Sequence, residues 1–192
     1  MKLTEEDSLK TWDLGKLEGE KQSKEAQGKL DDQIIDEPYK KAGGDGESFN
    51  QFSSRVLDYM RKKIQDCPPN AIIVTHNTVF GLIKLWDKEG RPKMLSEAFR
   101  KTYTGQDSDT GAHYEIKNNK GGTLYICRHG ETEDNREGNF RRDDVKLTPK
   151  GEAQARALGE EFKNIHVPEI ITSPLHRAVE TAKTIAKYQN KG

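Results

Sequence analysis

Residues 71–75 read Ala-Ile-Ile-Val-Thr, a run with no polar face, bounded by Pro68, Pro69 and Asn70 ahead and His76 behind. A strand of this kind must be covered on both sides, which points to the interior of a parallel sheet with helices on each face. Two more runs share the property: residues 123–127, Thr-Leu-Tyr-Ile-Cys, which follow Gly121 and Gly122, and residues 169–172, Glu-Ile-Ile-Thr, which follow Pro168. Helical signals separate them. Ser48 with Gln51 three positions on makes a capping box, and Phe49, Phe52, Val56, Tyr59 or Met60, and Ile64 recur at helical spacing until Cys67-Pro68-Pro69 ends the pattern. Residues 78–86 form an apolar helix. Thr148 caps another with Pro149 at its first position and Ala153, Ala157, Leu158 and Phe162 near one face. Ser173-Pro174 opens a last helix with Val179, Ala182, Ile185 and Ala186 inward. The alternation predicts an α/β fold, a three-layer sandwich with a mainly parallel central sheet flanked by helices.

The remaining stretches are weaker. Residues 1–20 read as a looped segment pressed inward by Leu9, Trp12, Leu14 and Leu17, and residues 21–38 as irregular or weakly helical. The break at Ala42-Gly43-Gly44-Asp45-Gly46 is too short for an interdomain linker. A turn at 90–92, a helix over 93–101, a polar loop over 104–110, a strand over 112–117 and a flexible connector over 117–122 are expected. At 192 residues, one domain spanning 1–192 is expected. The formal net charge is zero, so no global field draws the chain to nucleic acid or to a membrane surface, and any anion site must be local. Cys67 and Cys127 belong to no C-x-x-C pair, and no apolar run approaches the roughly 20 residues that span a bilayer. A soluble cytoplasmic protein is expected. No dinucleotide fingerprint or Walker loop occurs.

The ends of the three runs carry the chemistry. The first gives His76, the second Arg128 and His129, the third Ser173-Pro174 and then Arg177. If the strands are parallel, these side chains meet at one sheet edge, with Asn77 and Thr78 where free helical N–H groups point at an anion. Two guanidiniums can grip a phosphoryl group and an imidazole can attack phosphorus, so the set suits phosphoryl transfer without metal or cofactor. An isolated Arg-His pair at a strand end is more often structural; the convergence of four such groups is what favours a site. His113, His166 and His176 read as surface or packing histidines, His113 being the one that could reach a pocket rim. Asp107-Ser108-Asp109-Thr110-Gly111 begins like a calcium loop but lacks the later glutamate. Trp12 and Trp86 read as packing residues and Cys127 as a buried filler.

Arg128-His129-Gly130-Glu131-Thr132, with Asn135 beyond it, resembles the signature of the histidine phosphatase superfamily, the phosphoglycerate-mutase-like proteins. Leu147-Thr148 with Gly151 and Gln154-Ala155 is similar to the segment that follows it there. Ser173-Pro174-Leu175-His176-Arg177-Ala178 with Thr181-Ala182 resembles the next block, Gly44-Asp45-Gly46-Glu47-Ser48 with Phe52 the entry to a later helix, and Val74-Thr75-His76-Asn77 the second-histidine block. The order differs from the family's: here the second-histidine block comes first. Joining Gly192 to Met1 restores it, with the final helix running through Tyr188-Gln189-Asn190-Lys191-Gly192 into Lys2-Leu3. The chain therefore looks circularly permuted, residues 1–120 corresponding to the usual C-terminal part, 121–122 to a connector and 123–192 to the usual N-terminal part.

The resemblance implies a phosphomonoesterase acting on a small phosphorylated substrate or a phosphorylated side chain and releasing inorganic phosphate. His129 would be the nucleophile, Arg128 and Arg177 the phosphate clamp, and His76 a stabiliser of charge in the transition state, with Asn135, Gly130 and Asn77 as further phosphate contacts. Relatives carry a glutamate two residues after the leucine of a leucine-x-glutamate-x-x-x-glycine segment. Here Leu9 and Gly15 align, but the position is Thr11. Threonine is no proton donor near neutral pH, so Asp13 is the expected general acid, with Glu18 next, since a carboxyl group beside a phosphate is more readily kept protonated. Phe140-Arg141-Arg142 also departs from the pattern. As a pocket rim it would favour a second acidic group on the substrate; as a solvated loop, the more ordinary case, it would not. The alternatives are a phosphoglycerate-type mutase and a catalytically weak phosphate-binding module.

Overall fold

The computed structural model describes residues 1–140, 142–143 and 145–189. Among these, five strands form one sheet: β1 (Lys2–Glu5), β2 (Asn70–Thr75), β3 (His113–Lys117), β4 (Thr123–Arg128) and β5 (Glu169–Thr172), in the order β1-β5-β2-β4-β3. β1, β5, β2 and β4 are parallel, and β3 lies antiparallel to β4 at an edge. The helices are α1 (Lys24–Asp36), α2 (Phe49–Asp66), α3 (Asn77–Lys88), α4 (Glu97–Thr104), α5 (Glu133–Glu137), α6 (Pro149–Phe162) and α7 (His176–Gln189).

Strand alternation sorts the side chains into two cores. Ala71 and Ile73 of β2 join Leu124 and Ile126 of β4 under Phe52, Met60, Leu82 and Trp86 from α2 and α3. Ile72, Val74, Tyr125 and Cys127 point the other way, against Leu158 and Phe162 of α6 and Ala182 and Ile185 of α7. This is the expected three-layer sandwich, and it explains why β2 carries no polar face: both of its sides are core. Each Ile-sized side chain so buried contributes roughly 1.5–3 kcal/mol. The expected caps form. Gln51 N donates to Ser48 Oγ (3.2 Å) and Ser48 N to Gln51 Oε1 (2.9 Å), and Gly151 N donates to Thr148 Oγ1 (3.1 Å).

Four local expectations change. Residues 21–38 hold a regular helix, α1, capped by Ser23 and burying Leu30 and Ile34; two buried apolar positions are too few to announce it. Residues 2–5 form the edge strand β1, whose mostly exposed residues lack an apolar run. The helix expected over 93–101 begins later, at the Ser96 cap, and runs to Thr104. The 117–122 segment is an ordered turn rather than a flexible connector. Asn118 Nδ2 donates to the carbonyls of Pro68 and Pro69 (3.2 Å each) while its Oδ1 accepts from Lys120 N and Gly122 N (2.9 Å each). A Cβ on Gly122 would lie 1.2 Å from the Pro69 carbonyl oxygen, so that glycine answers a close backbone approach. No helix among the described residues is long and apolar enough to cross a membrane. Arg141, and residues 190–192, through which the permuted order was expected to run, lie outside the described residues.

Candidate active site

Register brings the strand ends together. Thr75 pairs with Arg128 across β2 and β4, and Val74 with Thr172 across β2 and β5. The ladder continues one residue past the strands, through His129 N to Thr75 O and Ser173 N to Val74 O, both 3.0 Å. His76 and His129 thus sit side by side at the C-terminal edge of the sheet, ring centroids 5.2 Å apart and both fully buried. Arg177, in the first turn of α7 and also fully buried, donates from Nε to His76 Nδ1 (3.2 Å).

These bonds fix the tautomers. The Gly130 carbonyl can only accept, so the 2.6 Å contact makes His129 Nδ1 the protonated nitrogen and leaves the lone pair on Nε2. His76 Nδ1 accepts from Arg177, so its Nε2 carries the proton and donates to Ser173 Oγ (2.7 Å). The backbone after His129 is held closely. Gly130 N donates to Thr181 Oγ1 (3.2 Å) and Glu131 N to Gln154 Oε1 (2.8 Å), while a Cβ on Gly130 would meet the Gly151 carbonyl oxygen at 2.2 Å. Gly151 and Gln154, noted in the sequence as part of a block, therefore act by seating the turn that carries His129.

Both arginines are gripped by loop carbonyls. Arg128 Nη1 donates to the Ser108 carbonyl and to Asn77 Oδ1 (3.3 Å), with Asp107 Oδ1 at 3.6 Å. Ser108 Oγ also donates to Asn77 Oδ1 (2.8 Å), so the segment that begins like a calcium loop is fastened to the arginine site. Arg177 Nη1 donates to the carbonyls of Arg142 (2.8 Å) and Asp143 (3.4 Å). The Arg142 guanidinium, considered above as rim charge, turns to Asp134 Oδ1 at 2.6 Å. Burial raises the Asp134 carboxyl, but the side-chain and backbone bonds from Arg142 and its charge outweigh that and hold the group below its ordinary range. Asn135 lies beside this pair, its Oδ1 accepting from Thr132 N (3.1 Å) and Thr132 Oγ1 (3.0 Å) in the cap of α5.

The segment expected to supply the proton donor is pinned by Arg55, which donates to the carbonyls of Ser8 and Lys10 (3.0 Å each) and Thr11 (3.2 Å) while paired with Glu47 (2.6 Å). Thr11 is buried and shares a 3.1 Å hydrogen bond with Thr78 Oγ1. Asp13 is exposed, its Oδ1 accepting from Gly15 N (2.9 Å). Glu18 is half-buried. Burial raises its carboxyl, Leu14 N–H counters that, Asp143 and Asp13 raise it further, and Arg177 lowers it, which places it within the field of the site.

Beside this cluster opens a cavity of about 430 Å³, reached by Arg128, Asn77, Thr78 and Asn135, with Trp12 and Tyr103 on its sides and Gln27 and Asp31 of α1 on its wall. His113 lies elsewhere, its ring 5.4 Å from that of Phe162, and His166 and His176 are exposed. Trp86 is buried and donates to the Pro92 carbonyl (3.0 Å), and burial pushes the Cys127 thiol well above its usual range.

With paired histidines and two arginines at a parallel sheet edge, comparison with known families becomes informative. A profile of the histidine phosphatase superfamily (branch 1) matches residues 1–95 and 124–191. The chain belongs to that superfamily. Curated relatives of this chain include a probable phosphoglycerate mutase GpmB of Salmonella choleraesuis (strain SC-B67), 42% identical over 65 residues, 33% of this chain and 30% of that one. A putative phosphoserine phosphatase 2 of Hydrogenobacter thermophilus is 47% identical over 64 residues, 33% of this chain and 32% of that one. The chain thus spans about a third of the length of the curated relatives it matches. No solved structure gave a significant match. Residues 96–123, which hold α4, the Ser108 loop and β3, fall outside the profile match, and the contacts of Ser108 and Asp107 with Arg128 had no signal in the sequence beyond a polar loop.

Proposed function

We propose that this histidine phosphatase hydrolyses phosphate monoesters, of a small molecule or a phosphorylated side chain, through a phosphohistidine on His129 and without metal. The observation that carries the reading is the 2.6 Å bond from His129 Nδ1 to the Gly130 carbonyl, which in the neutral imidazole puts the lone pair on Nε2, in a buried site at the sheet edge that also carries Arg128 and Arg177. In the first step Nε2 bonds to phosphorus as the ester P–O bond breaks. Arg128 and Arg177 hold the equatorial oxygens, aided by Asn77 and Asn135, and His76 stabilises the gathering charge; Gly130, expected as a further contact, has its N–H on Thr181 Oγ1 and its carbonyl on His129 instead. The leaving alkoxide takes a proton from a carboxyl group of the Thr11 segment; of the two there, Glu18 is favoured over Asp13 by its burial, which raises it and so keeps the acid form. Water then attacks phosphorus, the N–P bond breaks and inorganic phosphate leaves. The test is release of p-nitrophenol from its phosphate. His129→Ala should lower turnover at least about a thousandfold, and undiminished turnover would refute the reading. Likeness to the probable phosphoglycerate mutase of Salmonella supports a second reading, a phosphomutase, which isomer formation in place of phosphate release from one substrate would reveal. A catalytically weak phosphate-binding module would release no p-nitrophenol.

We further infer that residues 1–192 are one domain in permuted order, with 1–120 as the family's usual C-terminal part, 121–122 as connector and 123–192 as the usual N-terminal part. Support comes from β1, which lies parallel to β5, so that a chain passing from β5 through α7 into β1 would form an ordinary β-α-β unit. A colinear comparison that follows the relatives over only a third of the chain also suits a change of order. The two free, buried thiols Cys67 and Cys127 suit a reducing compartment such as the cytoplasm. The zero formal net charge favours neither nucleic acid nor membrane as a partner.

A further inference from the structure

The cavity beside Arg128 has an uneven charge. Among its described lining residues Arg128 is the single cation, against three carboxylates, Asp31, Asp107 and Asp134. Two of these are committed: Asp134 to Arg142 at 2.6 Å, and Asp107 to Arg128 at 3.6 Å. Asp31 differs. α1 presents it on the face that also carries Gln27, Leu30 and Ile34 into the cavity, spaced three and four residues apart. Its Oδ1 accepts from Gln27 Nε2 at 2.7 Å, which fixes the carboxylate, and the charge acting on it is another acid, Asp32. Burial raises the Asp31 carboxyl, a cost that a bound cation would offset. A phosphate ester with a second carboxylate or phosphate would set like charges against Asp31 across a space of about 430 Å³.

Taking the cavity as the seat of the alcohol part of the ester, and so resting on the hydrolase reading above, we propose that the substrate is the phosphate ester of a small amino alcohol, its ammonium group held by Asp31 and its phosphate by Arg128. The side-chain amide oxygens of Gln22, Gln27 and Gln106, which also line the cavity, suit its remaining polar hydrogens. The basic loop does not supply the opposite preference through Arg142, which is spent on Asp134.

Calorimetry on the full chain with O-phosphoethanolamine and with 3-phosphoglycerate tests this. The amine should bind about tenfold more tightly, the ordinary value of a partly buried charge-assisted bond. Asp31→Asn should erase most of that ratio and Asp31→Lys should reverse it. Equal binding, or tighter binding of 3-phosphoglycerate by the unaltered chain, overturns the proposal whether or not the variants fold. Binding and turnover are read separately. Loss of p-nitrophenyl phosphate hydrolysis with the amine preference intact would remove the hydrolase reading and leave an amino-phosphate binding site; hydrolysis with no amine preference would do the reverse.

Discussion

The 2.6 Å hydrogen bond between His129 Nδ1 and the carbonyl of its own neighbour links the backbone to the chemistry. Gly130 itself sits hard against Gly151, where any side chain would collide with backbone. If Glu18 is the acid, Glu18→Gln should lower turnover of alkyl phosphates by about a hundredfold and barely change that of p-nitrophenyl phosphate, whose leaving group departs unprotonated. Asp13→Asn should change neither. Because Glu18 must be protonated to act and its pKa is raised, alkyl ester turnover should fall as pH rises through that raised value, a limb missing with the aryl ester. Equal losses on both esters in Glu18→Gln would assign it another role. His76, Arg128, His129 and Arg177 were legible in the sequence because each follows a run too apolar to be anything but a buried strand, or opens the helix after one. The sequence put Asp13 ahead of Glu18 as the acid because it lies nearer Thr11; the order proposed here is the reverse, since the turn at Gly15, with a φ of +56°, lies between an exposed Asp13 and a half-buried Glu18.

At the scale of elements, α5 and the chain after it are coupled through Asp134, whose side chain is fully buried while Arg142 is 59% exposed. Asp134→Asn should cost about 1–2 kcal/mol at pH 7, toward the low end because solvent screens the guanidinium. The sign follows from the depressed carboxyl. Its contribution is complete above the unfolded value near 3.9 and fades as pH falls through the lower folded value. The gap in urea midpoints between the two proteins should therefore be wide at pH 7 and close below about pH 4; a gap independent of pH would remove the ion pair as its cause. Other elements were less legible. α1 has two buried apolar residues in thirteen, and its wall of the cavity comes from polar positions that periodicity passes over. The Asn118 turn reads as flexible because Asn, Lys and Gly are common in linkers; the carbonyls that order it, on Pro68 and Pro69, lie some fifty positions earlier in the chain.

For the whole molecule, the parallel β1-β5 pair gives the permuted order a direct test. A chain opened between Gly121 and Gly122, with the present ends joined by a short Gly-Ser segment, should fold cooperatively and keep p-nitrophenyl phosphate turnover within about threefold. A rearranged chain with no near-ultraviolet circular dichroism would count against the permutation. The sandwich itself was legible, because strands whose odd and even residues are both apolar leave few alternatives to helices on both faces. The loops closing over the site were not, since they meet the arginines through backbone carbonyls, which every residue has. Those carbonyls, of Ser108 on Arg128 and of Arg142 and Asp143 on Arg177, make anion binding at the two Nη1 atoms an exchange rather than an addition. A phosphoryl oxygen that takes an Nη1 hydrogen displaces a carbonyl there, so its net gain at that atom is the difference between two charge-assisted contacts. On the hydrolase reading, the same carbonyls would be at hand to reclaim Nη1 as orthophosphate departs, so that some hold on substrate would be given up for an easier release of product.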